Sequence, residues 1–308
     1  MTMFAFDDDF DPLSSGSSLS LSDSAEGFSL SESTPPREPF PVHKLAVNQT
    51  TTIRWSVNED LEGYREAGFQ AIGVSLAKLR RDGLRESVQK IRMSRMPVSS
   101  LGWIGGFTGD HGHSLDDAIV EGRKAIKLAQ GIGAASLVVV SGTTGKHISS
   151  YARKLLKWAL KELLEPARKA GVQLALLPMH QLFDREWSFL HKLDETIEIL
   201  EQLNHPHLGM AFNPYHLWQE PDLVSRIASF SQHLNLVQVA DFRNPPRGDN
   251  DRLLPGAGCI PLHEILQAVR ETDYRGWYEL EVWSRELWQS DYRDALKTCR
   301  EWFAEIGN

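Results

Sequence analysis

Two glutamates, Glu279 and Glu281, stand two residues apart in the apolar run Trp277-Tyr278-Glu279-Leu280-Glu281-Val282. In a β-strand, alternation puts both carboxylates on one face, opposite Tyr278, Leu280 and Val282. A carboxylate among apolar neighbours is costly to bury unpaired. Glu281, nearer the C-terminal end of the run, is therefore a candidate base for moving a proton next to a carbonyl; a structural ion pair is its alternative. Glu279, one layer deeper, reads as paired inside the fold. In Gly209-Met210-Ala211-Phe212-Asn213 the same parity sets Asn213 with the small residues, and in Val237-Gln238-Val239 it singles out Gln238. Both amides are candidate substrate contacts, as are His180, Asp241, Arg243 and Trp283. His216, in Asn213-Pro214-Tyr215-His216, is a second catalytic candidate, with a helix-start histidine bonded to backbone as its structural alternative. Proton abstraction also needs something to hold the enediolate oxygen. Arg243, Arg247 and Arg252 follow the seventh apolar run, and any of them could carry that charge, although a solvated loop residue is the commoner reading of each. Trp103, Trp218 and Trp283 end apolar runs and offer faces on which a sugar ring could stack.

Weaker signals surround these. Asp110-His111-Gly112-His113 has ligand-like spacing within a Gly-rich stretch that reads as a lid segment. Gly256-Ala257-Gly258 suits either a phosphate cradle of backbone N–H groups or a plain turn. His205 and His207 flank Pro206 as turn residues. A relocated metal site drawn from His180, His216 and Glu281 is chemically reasonable. Phe4, Phe6 and Phe10 form a possible docking motif in an otherwise polar segment.

Elements able to position these groups recur eight times. Apolar runs near 44–49, 69–74, 97–103, 135–141, 172–177, 207–213, 234–240 and 276–283 predict strands. Amphipathic stretches near 58–67, 82–94, 114–131, 148–170, 184–203, 221–231, 261–273 and 289–305 predict helices. Ser56 with Glu59, and Ser114 with Asp117, have the spacing of a capping box, and Pro261 suits a first helical turn. Eight strand–helix units without hairpin signals imply parallel strands joined by helices, closed as a (β/α)8 barrel with its active site at the strands' C-terminal ends. A doubly wound open sheet is the alternative, but no GxGxxG follows the first strand. Residues 43–308 are assigned to the barrel and residues 1–42 to a disordered, acidic, Ser-rich tail.

Charge and composition narrow the function. The formal net charge of −8 is concentrated in residues 1–40, whose eight acidic side chains and one Arg leave the rest near neutral. With no basic face expected, a nucleic-acid partner is excluded. Two distant cysteines, Cys259 and Cys299, give no thiolate zinc spacing and point to a reducing, cytoplasmic setting. No apolar run is long enough for a membrane span, and no signal peptide is expected.

Several stretches in order, Gly171–His180, Leu208–Trp218, Val237–Asp241, Leu253–Gly258 and Tyr274–Trp283, resemble the sugar phosphate isomerase/epimerase family of xylose isomerase-like TIM barrels. The resemblance spans roughly residues 44–305, including the Thr50-Thr51-Thr52 loop. It implies a small carbohydrate ligand and a divalent metal (Mn, Mg, Co or Zn) held at four strand ends. Those positions match Leu177, where the family has a LALEP glutamate, Asn213 for the DxxH aspartate, Gln238 for a histidine, and Glu281. Only Glu281 keeps the family ligand, so no cofactor is expected with the site in this form, and a high-affinity metal site is expected to be lost. His216 matches the DxxH histidine, a substrate contact in the family. The resemblance thus implies an isomerase- or epimerase-like enzyme with Glu281 as base. The alternative it leaves open is a catalytically inactive barrel that binds a ligand or a partner. Apurinic-site cleavage, known among related barrels, needs a His- and acid-rich metal cluster and a basic surface that this sequence lacks.

Overall fold

The computed structural model describes residues 44–109, 113–248 and 251–306. The tail reading for residues 1–42, its phenylalanine motif and Asp110-His111-Gly112 lie outside the described residues. Eight parallel strands close on themselves in sequence order: β1 (Leu45–Asn48), β2 (Ala71–Ser75), β3 (Val98–Ile104), β4 (Ala134–Val139), β5 (Gln173–Leu176), β6 (Leu208–Phe212), β7 (Leu234–Val239) and β8 (Tyr278–Leu280). β8 returns to β1 with Leu45 opposite Tyr278 and Val47 opposite Leu280. Because helices cover the outside and side chains fill the inside, these strands are buried almost throughout.

The helices are α1 (Val57–Glu66), α2 (Leu76–Arg81), α3 (Leu84–Ser94), α4 (Leu115–Ile132), α5 (Ser149–Ala170), α6 (Leu193–Leu203), α7 (Pro214–Leu217), α8 (Leu223–Phe230), α9 (Leu262–Arg270) and α10 (Tyr292–Glu305). Both expected capping boxes form, Ser56 with Glu59 ahead of α1 and Ser114 with Asp117 ahead of α4. Pro261 caps α9 rather than sitting in its first turn. The helix expected over 82–94 forms as α3, and a further short helix, α2, precedes it; the two part at Gly83, whose φ of 91° breaks the helical path. A second departure matters more for the site. Only Leu193–Leu203 of the helix expected over 184–203 forms, and the preceding residues cross the barrel mouth instead. Phe189 N–H donates to Gly142 O (2.8 Å), and the Ser188 hydroxyl, 3.0 Å from that of Ser141, donates to Leu190 O (3.1 Å). These bonds to the β4 loop displace the helical ladder that residues 184–192 would otherwise form. Among the described residues, no helix is long and apolar enough to cross a membrane.

Inside the barrel, Glu279 is fully buried and satisfied without a cation. Its Oε1 accepts from Asn48 Nδ2 (2.8 Å) and Gln238 Nε2 (3.0 Å), and its Oε2 accepts from the Ser99 and Ser100 hydroxyls (2.6 Å each). Four donors on one carboxylate replace most of its hydration. Gly73 gives it room: a Cβ there would lie 2.4 Å from Glu279 Oε2 and 2.8 Å from Asn48 Nδ2. Gly73→Ala should therefore cost about 1–3 kcal/mol by overpacking. A urea midpoint unchanged from the parent would show that the layer yields freely.

Candidate functional site

The strands' C-terminal ends open into a cavity with a polar floor and an aromatic wall. Asn48, Ser75, Gln238, Glu281 and Arg252 supply the polar groups, and Trp103, Trp187, Trp283 and Phe183 form much of the wall, with Leu177 and Met179 beside them. The structure gives Gln238, Glu279 and Glu281 the shared face read from their parity: Gln238 bonds to Glu279, and Gln238 and Glu281 line the cavity.

Glu281 sits just beyond β8 and is 5% exposed. Its Oε2 accepts from Asn213 Nδ2 (3.0 Å) and from Arg252 Nη1 in a close ion pair. Burial raises the Glu281 pKa, the guanidinium of Arg252 opposes that rise, and the neighbouring charge of Glu279 adds to it. Asn213 follows β6 directly, and its Oδ1 accepts from Tyr215 N–H (3.0 Å), capping α7. That cap carries His216 to a place behind Arg252, where Arg252 Nη2 lies 3.2 Å from His216 Nε2. Burial, then the Arg252 charge and then His180, hold the His216 pKa well below its usual value, so the imidazole is neutral. His216 Nδ1 takes the backbone N–H of His180 (3.1 Å). A backbone N–H can only donate, which assigns the imidazole proton to Nε2. Two N–H donors, on Nε2 and on Arg252 Nη2, then face each other with no acceptor between them.

Among the described residues, Arg252 Nε, Gln238 Oε1 and Trp283 Nε1 are buried without a hydrogen-bond partner. The Arg252 guanidinium also lies 4.5 Å from the Tyr215 ring centroid and 5.6 Å from that of Trp283. Trp103 and Trp283 are 5.2 Å apart at 32°, with Trp187 edge-on to both. Such a surface stacks well against the C–H face of a sugar or cyclitol.

Three sequence candidates for substrate contact are turned away from the cavity. Asp241 accepts from the backbone N–H groups of Phe242 (2.8 Å), Gly256 (3.0 Å), Gly258 (2.9 Å) and Ile260 (3.0 Å), so it anchors the loop that delivers Arg252. Those bonds also consume amides that the Gly256-Ala257-Gly258 cradle would have offered a phosphate. Arg243 pairs with Asp251 (2.9 Å) and Glu286 (2.8 Å), and Arg247 also pairs with Glu286 (2.6 Å). His180 accepts from Leu182 N–H through Nδ1 (3.2 Å), and its Nε2 meets Gln219 Oε1 (3.0 Å). His180 packs on Phe242, and among the described residues no group of three His, Cys, Asp or Glu side chains is placed to hold a metal, so the relocated set of His180, His216 and Glu281 is not assembled. Trp218 likewise packs on Phe242. Trp187, within the stretch read as helix, reaches the cavity without a sequence signal.

A profile of the xylose isomerase-like TIM barrel matches residues 61–305. The chain belongs to that family. An inosose isomerase of Halalkalibacterium halodurans is 24% identical over 85% of this chain and 96% of its own length. A 3-dehydro-D-guloside 4-epimerase of Escherichia coli is 23% identical over 83% of this chain and its full length. A structure of the IolI protein with a bound zinc atom superposes with a TM-score of 0.75 at 20% identity, covering 85% of this chain and 97% of its own. Of the four positions matched to the metal ligands of xylose isomerase-like barrels, Leu177, Gln238 and Glu281 line one cavity, and Asn213 bonds to Glu281.

Proposed function

We propose that this barrel is an isomerase- or epimerase-like enzyme acting on a small carbohydrate ketone, with Glu281 moving the proton next to the carbonyl. The observation that carries the reading is Glu281 itself. It is a buried carboxylate at the barrel mouth, raised in pKa, facing a cavity with a tryptophan wall. Relatives named as sugar or cyclitol isomerases and epimerases support the same chemistry. The consumed Gly256–Gly258 amides favour free sugars and cyclitols over sugar phosphates. The unpaired Cys259 and Cys299 suit a cytoplasmic setting.

The residues present do not fit the family's divalent cation. Leu177 has no lone pair, Asn213 turns its N–H₂ to Glu281, Gln238 turns its own to Glu279, and Arg252 occupies Glu281. A hard cation needs anionic oxygen or imidazole nitrogen from several sides.

The test uses an inosose and free ketoses in D2O, followed by proton NMR. Exchange of the C–H beside the carbonyl is expected, with a loss of about 100-fold or more in Glu281→Gln. A second reading, a ligand-binding barrel without turnover, is favoured by the occupancy of Glu281 Oε2. Calorimetric binding of the sugar without any exchange would establish that reading instead.

A further inference from the structure

We propose that the Arg252 guanidinium takes the place of the metal, so that Glu281 works alone on one face of the substrate in a metal-independent proton shift between neighbouring carbons. The inference rests on the proton-transfer reading above and narrows it.

Position supports it first. Arg252 pairs with the one family ligand that survives, so a positive charge already stands where a cation would meet Glu281. Its charge needs no loading, because a guanidinium is a permanent cation. The loop holds it in place: Arg252 N–H donates to Trp283 O (2.9 Å), Asp251 bridges to Ser284, and Leu253 bridges to Asp241. Two aromatic faces pack against the guanidinium itself. A cation so confined is preorganised and adds little reorganisation cost during reaction.

Unspent donors support it next. Among the described residues Arg252 Nε–H has no partner, and Nη2–H meets the Nε2–H of His216 without an acceptor. One ligand oxygen bearing partial or full negative charge would relieve these groups. A divalent ion at Glu281 would instead face the guanidinium at close range.

Carboxylate number then sets the stereochemistry. Among the described residues lining the cavity, Glu281 is the one carboxylate. At the position matched to the other family glutamate stands Leu177, and Glu279 is held below by four donors. Glu281 removes a proton from the carbon beside the carbonyl. The C–H pair becomes the C=C bond, and the carbonyl π pair moves to oxygen, which Arg252 and His216 hold. Glu281 then returns its proton to the former carbonyl carbon on the same face. The neighbouring enediol hydroxyl passes its proton to the oxyanion and becomes the new carbonyl. Atoms and charge balance without a co-reactant. Inversion at one carbon would need an acid on the opposite face.

Manganese alone is the first probe. Chelator-treated full-length protein is titrated with Mn(II) and free ion is followed by electron paramagnetic resonance. No stoichiometric uptake is expected. Stoichiometric uptake that disappears in Glu281→Gln overturns the proposal. The second arm uses an inosose in D2O with chelator present. The expected product is the neighbouring-carbon isomer carrying deuterium, formed at a rate that chelator leaves unchanged. An epimer at one carbon, or activity abolished by chelator and restored by Mn(II), overturns it. Arg252→Lys should lose about 100-fold or more in kcat, and near-parental kcat would count against it. If Arg252→Lys does not fold, both arms on the parent protein still decide. Failure of every ketone to exchange sinks the proton-transfer reading, whereas the manganese arm judges Arg252 independently of any substrate.

Discussion

Arg252→Met should destabilise the barrel by about 3–5 kcal/mol, because it leaves Glu281 as a buried charge without its cation. The side chains of Arg252 and Glu281 are 3% and 7% exposed, so water does not replace the lost partner. Asn213 Nδ2 remains as a donor, but one neutral N–H does not offset the desolvation of a carboxylate. Adding Glu281→Gln should recover most of the loss, since the second change removes the stranded charge while keeping an oxygen for Asn213. Urea unfolding of the parent, the two single variants and the double variant closes the cycle. A coupling below about 1 kcal/mol would place the pair among solvated surface ion pairs and would contradict the burial on which its proposed role depends. This experiment separates the energetic side of Arg252 from the catalytic side, because the double variant should fold and yet exchange no substrate proton.

The strands were legible because each is a short apolar run bounded by polar helical sequence, and a parallel barrel buries such runs on both faces. Parity alone directed Gln238, Glu279 and Glu281 inward, and capping chemistry located the starts of α1 and α4. Arg252 was harder to read. It stands in Asp249-Asn250-Asp251-Arg252, a charged string that reads as solvated, and burial comes from pairing across the chain to Ser284 and Asp241. The Leu253-Leu254 that follows is the available local signal that the loop turns inward. Asp241 has the residue type of a substrate contact, and only coordinates reveal that four backbone N–H groups consume it. Residues 184–192 have a helical pattern, but Phe183, Trp187 and Phe189 are apolar because they cross the mouth. Periodicity does not distinguish a helix face from an apolar strap held by Ser141 and Gly142.

The other large effect lies at Lys78, in the loop network beside the mouth. Its Nζ meets Asp60 Oδ2 at 2.6 Å and donates to Thr52 O at 2.8 Å, with both side chains essentially inaccessible. Asp60 also accepts from Gln49 Nε2 (2.8 Å) and the Thr52 hydroxyl (2.7 Å), and Gln49 Oε1 accepts from Ser75 N–H (3.0 Å). The network therefore fixes the loop after β1 against the end of β2, where Thr50 and Ser75 line the cavity. Burial raises the Asp60 pKa to about 6 despite Lys78, while burial lowers that of Lys78. In Lys78→Met the opposing charge is gone, and Asp60 rises further. A folded pKa above the unfolded value of 3.8 means that the folded state holds the proton more tightly. Ionisation is then a cost to folding that grows as pH rises through the window between the two values. The parent carries the same cost up to its Asp60 value of about 6, so the two proteins part above that pH. Lys78→Met should accordingly lose about 3–5 kcal/mol at pH 8, and progressively less as pH falls toward 6. Near pH 4 Asp60 is protonated in the folded state, and the variant should approach or exceed the parent, which there still buries an unpaired ammonium. Urea unfolding of both proteins across that range checks the sign. A deficit that is constant with pH, or largest in acid, would show that Lys78 stabilises the loop by packing rather than by its charge.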